Sequence, residues 1–322
     1  MMQAIVYATY GTPNVLQLTE LPTPTPTDNQ LLIKIHACSI NGSDRENLIG
    51  KPLYARMTGL RKPGNPILGS DIAGTVEAVG KNHTEFQVGD AVFGELPGYH
   101  GGFAEYVCTS GATLAHKPAN LTFAQAAAIP QAGTIALRGI REVGQVQAGQ
   151  QVLINGAGGS AGSFAIQLAK RAGAEVTGVD GPHQLAFMRS LGADHVIDYT
   201  KEEFTTSGKT YDLILDMIAH RSVFALPQAL RPNGAYYVTG GTVGVIFQVL
   251  LLGGWIKRTR GKNIRMLVVP QNRTDVTAMA ELCAAGEIVP MIDREYPLQE
   301  VPAAMRYVTE GYAKGKVVIK LA

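Results

Sequence analysis

The chain has 322 residues, 46% of them apolar and 17% charged, a composition that excludes long disorder and suggests about two domains. With 28 basic and 26 acidic residues the net charge is +2, and no basic block stands out beyond Lys257, Arg258, Arg260 and Lys262, so nucleic-acid binding has little support. Three scattered cysteines, Cys38, Cys108 and Cys283, imply no disulfide framework, and no signal peptide is evident, which points to the cytoplasm.

Short apolar runs at 3–8, 31–37, 72–79, 91–93 and 103–108 read as strands, separated by glycine turns. A Thr-Pro repeat over 22–27 can only be an extended connector. Many short strands with such turns suggest a compact, barrel-like β domain over 1–122.

The pattern changes near residue 122. Strand-like runs at 152–155, 175–180, 196–198, 213–216, 235–239 and 265–269 alternate with helical segments such as 161–172 and 184–191. These runs are apolar throughout, as expected of a parallel sheet covered on both faces. The class is α/β, with a doubly wound domain over 123–270. A final segment, 271–322, reads as helix 275–285, a strand near 288–292, helix 300–309 and strand 316–321. That last strand is expected to return to the first domain. The run 243–256 is too short to span a bilayer, which takes ~20 residues. A lid, a contact between two copies and a core helix all fit it.

Of the 37 glycines, Gly156, Gly158, Gly159 and Gly162 fall between a strand and a helix. Such glycines permit a tight turn and close backbone approach, and the helix start offers N–H groups to a pyrophosphate. Ala157 occupies the first glycine position of the usual fingerprint, with Ser160 and Ala161 inside the loop. An acid, Asp180, follows Gly162 by 18 residues at the end of the next strand. That position accepts the adenosine ribose hydroxyls. A 2′-phosphate would be repelled there and no Arg or Lys is adjacent, so NADH is favoured over NADPH, although His183 is near enough to meet a phosphate. Asp180 can equally cap the helix after Pro182.

Stretches 2–7, 32–41, 68–80, 88–93, 101–106, 126–130, 155–162, 191–199 and 315–318 together make the chain resemble the medium-chain dehydrogenase/reductases, in the zinc-independent quinone oxidoreductase branch. The resemblance covers nearly the whole chain. It implies a GroES-like β-barrel domain, a Rossmann domain, and hydride transfer from NAD(P)H in the cleft between them. Zinc-dependent relatives carry metal ligands where this chain has Asn41, Ser70 and, near 130–133, only Gln131 and Thr134. No metal is therefore expected. Without a Lewis acid, reduction of an electrophilic quinone or enone is easier than alcohol oxidation.

The resemblance also implies roles. Asn41 lies near the nicotinamide and could orient an acceptor carbonyl. Asp44 is a further catalytic candidate or a helix cap. Tyr54, in the loop 50–66, could protonate an enolate or only pack. Thr134 would contact the carboxamide, Gly240 and Gly241 would bare backbone to the ring, and Tyr199 would pack near the adenine. Lys316 would reach the cofactor or only solvent. The expected partner is a small electrophilic acceptor, with a homodimer as the open oligomeric reading. An enoyl-thioester reductase and a non-enzymatic NAD(P)H-binding redox sensor are the rival functions.

Overall fold

The computed structural model describes residues 1–321. These divide into two compact units: Met1–Gln131 with Gln271–Gly286 and residues 290–321, and Ala132–Pro270 with Glu287–Val289.

In the first unit, β1 (Met2–Val6) and β2 (Gln17–Leu21) pair antiparallel. Then come β3 (Leu31–Ser39), α1 (Gly42–Ile49), β4 (Asp71–Val79), β5 (Ala91–Glu95), β6 (Tyr106–Thr109), β7 (Leu114–His116) and α2 (Phe123–Ala127). β3 is the hub. β4 runs along one edge, and the other edge is shared between β6 and the last strand of the chain. Its isoleucines Ile33 and Ile35 pack with Ile72, Val92 and Phe103 in the unit's core.

α2 belongs to this unit, whereas the pattern change had put residue 123 onward in the other domain. Thr122 caps the helix with Gln125. The buried Ala124, Ala126 and Ala127 let the helix lie close on β3 and β4. The change in pattern marks a helix start, not the edge of the unit.

The second unit begins within α3 (Pro130–Leu137). It continues as β8 (Gln151–Asn155), α4 (Ser160–Arg171), β9 (Glu175–Asp180), α5 (Leu185–Ser190), β10 (His195–Asp198), β11 (Tyr211–Asp216), β12 (Leu230–Val238), α6 (Val243–Arg260) and β13 (Asn263–Met266). The six strands are parallel, in the order β10-β9-β8-β11-β12-β13. The order reverses between β8 and β11. Ligands of such sheets bind in the crevice beyond the strands' carboxyl ends at that switch.

The chain ends with α7 (Arg273–Ala284), β14 (Ile292–Pro297), α8 (Val301–Thr309) and β15 (Lys316–Lys320). β15 runs parallel to β14 and antiparallel to β3. The strand expected near 288–292 instead starts at Ile292. Its Asp-Arg-Glu centre hides it from a hydrophobic reading, and such charged residues are usual on the edge of a sheet, where β14 lies. Among the described residues, no helix is long and apolar enough to cross a membrane.

Candidate active site

The loop after β8 is built by steric demands. Gly156 sits at φ +83°, a left-handed conformation that favours glycine. A Cβ on Gly162 would lie 2.3 Å from the Gly156 carbonyl oxygen, so the start of α4 can close on the loop only with glycine there. Gly158 likewise abuts Gln184. These three glycines are buried, while Gly159, Ser160 and Ala161 are partly exposed at the N-terminus of α4. The loop therefore presents one accessible lip at the positive end of a helix of 12 residues.

Asp180, at the carboxyl end of β9, accepts from the Gly158 and Gly181 amides, each at 2.8 Å. Burial pushes its carboxyl above the usual range, and the two N–H donors oppose that. It does not cap the following turn, whose N-cap is Gly181. Tyr199 donates its backbone N–H to the Asp180 carbonyl, and its exposed ring lies against Gly181. His183 is exposed in the 3-10 turn Pro182–Gln184. The structure thus brings Gly158, Asp180, Gly181 and Tyr199 together.

Gly240 and Gly241 follow β12. A Cβ on Gly240 would lie 2.7 Å from the Met217 carbonyl oxygen, and one on Gly241 would lie 2.2 Å from that of Ala219. Close approach to the backbone after β11 therefore accounts for both glycines. Thr134 is buried on α3. At the sheet's switch, Asn155 donates to Asp216 at 2.7 Å and Tyr236 to the same carboxylate at 2.8 Å. This tie between the ends of β8, β11 and β12 was missed from sequence. The only signal was an Asn and an Asp each closing an apolar strand.

The first unit holds a buried polar cluster. Asn41 opens α1 and is 3% exposed. Its Nδ2 donates to Ser70 at 3.2 Å, and its Oδ1 accepts from Lys316 Nζ at 2.7 Å. Lys316 is fully buried, with Nζ also 3.5 Å from Asp71. It reaches Asn41 and Asp71, neither of which was among its expected contacts. Gln131 ties Asp71 to Glu95, donating its backbone N–H to the first at 3.1 Å and its amide to the second at 2.7 Å. Asp44 caps α1 by accepting from the Asn41 backbone, and its other oxygen accepts from the Gly69 amide. Burial pushes the Asp44 carboxyl up to about 7 and the Glu95 carboxyl up to about 8, the latter helped by the Asp71 charge. Tyr54 is set apart from this cluster. It is exposed and donates to Glu46 at 2.7 Å.

Comparisons with known proteins add to this geometry. Residues 27–119 match the family described as "Alcohol dehydrogenase GroES-like domain", and 191–319 match "Zinc-binding dehydrogenase". The chain is 34% identical to NAD(P)H oxidoreductase RTN4IP1, mitochondrial, of Mus musculus, over 99% of this chain and 89% of that protein. It is 31% identical to 2-methylene-furan-3-one reductase of Solanum lycopersicum, over 99% and 79%. The solved quinone oxidoreductase of Coxiella burnetii superposes with a TM-score of 0.88 at 29% identity, covering 100% of this chain and 99% of that one. The chain belongs to the medium-chain dehydrogenase/reductase superfamily, in its quinone oxidoreductase-like branch. Its two units are accordingly a GroES-like domain and a Rossmann domain.

One family description names zinc, so the donor set of this medium-chain dehydrogenase/reductase matters. At the positions where the resemblance puts metal ligands stand an amide, a hydroxyl and, for the third, an amide or a hydroxyl: Asn41, Ser70, and Gln131 or Thr134. Zinc prefers thiolate and imidazole. The one cysteine near this cluster, Cys38, is held in its protonated form by burial and by the Asp44 and Asp71 carboxylates. The ammonium of Lys316 already sits against Asn41 and Asp71. These residues do not fit a zinc ion.

The dinucleotide loop fits its expected ligand better. It offers an accessible lip, a helix start and a carboxylate at the end of the neighbouring strand.

Proposed function

We propose that the chain is an NAD(P)H-dependent reductase of quinones and α,β-unsaturated carbonyl compounds that works without zinc. The observation that carries this reading is the Gly156–Gly162 loop at the sheet's switch, with Asp180 beside it. The similarity to the tomato furanone reductase and to the Coxiella quinone oxidoreductase supports the acceptor class, and that to the mouse NAD(P)H oxidoreductase supports the cofactor. The partner is thus a small electrophilic molecule.

When bound, the reduced nicotinamide supplies the hydride. The chain's own residues hold and orient. The lip Gly159-Ser160-Ala161 and the first turn of α4 face the pyrophosphate with N–H groups and the helix dipole. Asp180 has lone pairs left for ribose hydroxyls and repels a 2′-phosphate, which favours NADH. Tyr199 flanks the adenine and His183 the ribose edge. Thr134, Gly240 and Gly241 are assigned to the nicotinamide end.

Asn41 and Asp44 act as positioning residues in this reading, because their polar atoms are occupied by Ser70, Lys316 and the backbone amides of Asn41 and Gly69. Lys316, which bonds Asn41 and lies against Asp71, has the same positioning role. The ring of Tyr54 is exposed, but its hydroxyl, partly desolvated and bonded to Glu46, is pushed well above its usual range, which makes it a poor acid. Water supplies the proton.

Three free cysteines suit a reducing compartment such as the cytoplasm. In this reading the chain pairs as a homodimer, the commonest form of soluble oligomer.

The test is oxidation of NADH and NADPH over quinones, enones, aldehydes and crotonyl thioesters. Turnover of quinones or enones supports the reading. Turnover of thioesters alone would make it an enoyl-thioester reductase. Tight dinucleotide binding without any oxidation would make it a redox sensor.

A further inference from the structure

α6 is apolar on two sides, and only one of them is used. Val245, Val249 and Ile256 pack into the core of the second unit. On the other side Phe247, Leu250, Leu251 and Trp255 are 59%, 63%, 76% and 51% exposed. Phe247, Leu251 and Trp255, four residues apart, line one stripe of the helix, and Leu250 lies beside it, three residues after Phe247. A patch of four large apolar side chains goes beyond scattered surface residues and marks a contact surface.

Charge says what covers it. The last turn of α6 carries Lys257, Arg258 and Arg260, all exposed, and Arg265 follows on β13, also exposed. None of the four has an ion-pair partner among the described residues. Between Asp216 and Asp275 the sequence contains eight Lys and Arg and no Asp or Glu; Arg221, Arg231 and Arg273 pair with Glu203, Asp212 and Glu85, and the cations of α6 and Arg265 do not. A second copy meeting this face in a two-fold contact would match the apolar stripe but bring cations without acids to pair them. The matching surface is apolar within and anionic at its edge. Trp, Phe and Leu with flanking Lys and Arg are the residues of helices that lie in the membrane interface.

We propose that α6 seats its exposed stripe in the interfacial layer of an anionic phospholipid bilayer, with Lys257 and Arg258 against the headgroups. The helix lies on the bilayer and does not span it. Apolar acceptors concentrate in the same layer, but the docking does not rest on the reductase reading.

Trp255 is the single tryptophan of the chain and reports on the contact directly. Full-length protein is mixed with vesicles of phosphatidylcholine, or of phosphatidylcholine with phosphatidylglycerol, and followed by tryptophan emission and flotation. The expected result is a blue shift and co-flotation with the anionic vesicles only, weakened by salt. Arg258→Glu should weaken binding roughly fivefold to tenfold. Leu251→Glu, at an exposed site, should abolish the shift while its thermal melt stays that of the wild type. The proposal is overturned by no flotation with anionic vesicles, or by equal binding to neutral ones. It is also overturned by a blue shift that rises with protein concentration alone and tracks a dimer in sedimentation. A shift on adding dinucleotide or acceptor without lipid would instead make the stripe a lid.

Discussion

Lys316 Nζ donates to Asn41 Oδ1 at 2.7 Å, joining two residues 275 positions apart in the chain. The bond fastens β15 to the start of α1 inside the first unit. Both residues are buried, and the nearest carboxylate to the ammonium is Asp71 at 3.5 Å. A buried cation in this position holds together segments from both ends of the sequence. Removing one partner leaves the other charge uncompensated.

Lys316→Met should therefore cost about 3–5 kcal/mol of stability, because Asp71 then lacks its counter-charge. Denaturant unfolding followed by circular dichroism measures it. A curve identical to the wild type would show that the ammonium has no structural role.

The same cluster makes stability depend on pH. The Glu95 carboxyl is raised from 4.5 to about 8, and that of Asp44 from 3.8 to about 7. In both cases the folded state holds its proton longer than the unfolded chain. Their contribution is fully present below the unfolded values and is lost as pH rises through the folded ones. The melting temperature should fall between about pH 5 and pH 8.5. Glu95→Gln should shrink that fall, and an unchanged pH profile would contradict the assignment.

The loop glycines separate by what a methyl group would strike. Gly162→Ala puts a Cβ 2.3 Å from the Gly156 oxygen, whereas Gly159→Ala meets nothing nearer than 3.4 Å. The first should lower stability by about 1–3 kcal/mol and weaken dinucleotide binding with it. The second should melt like the wild type and lose dinucleotide affinity alone, since Gly159 lies on the exposed lip. Thermal melts paired with calorimetric titration of NADH distinguish the two.

Tyr54→Phe tests the proton source. With its hydroxyl committed to Glu46 at 2.7 Å, the variant should keep kcat for an enone within about threefold. A fall of about a hundredfold or more, with KM unchanged, would make Tyr54 the acid after all.

The Rossmann unit was readable in sequence because its signals are local. Apolar runs, helix starts and the glycine loop each declare themselves within a dozen residues, and Asp180 follows at a fixed spacing. The buried cluster was not, since Asn41, Ser70 with Asp71, Glu95, Gln131 and Lys316 come from five separate stretches and only the fold brings them together. Lys316 in particular read as a contact to the cofactor or to solvent, because nothing near it in the chain predicts a buried carboxylate. α6 was ambiguous for the opposite reason. Apolar on all sides, it showed no period to tell its core face from its outer one.

In the proposed reading Asp180 is the ribose-binding carboxylate on which the cofactor preference depends. Steady-state oxidation of NADH and NADPH by one water-soluble quinone, in the wild type and in Asp180→Ser, tests it most directly. The predicted result is turnover with the larger kcat/KM for NADH, and a shift of that ratio toward NADPH in the variant. No oxidation of either dinucleotide, or a wild-type preference for NADPH of more than about tenfold, would contradict it.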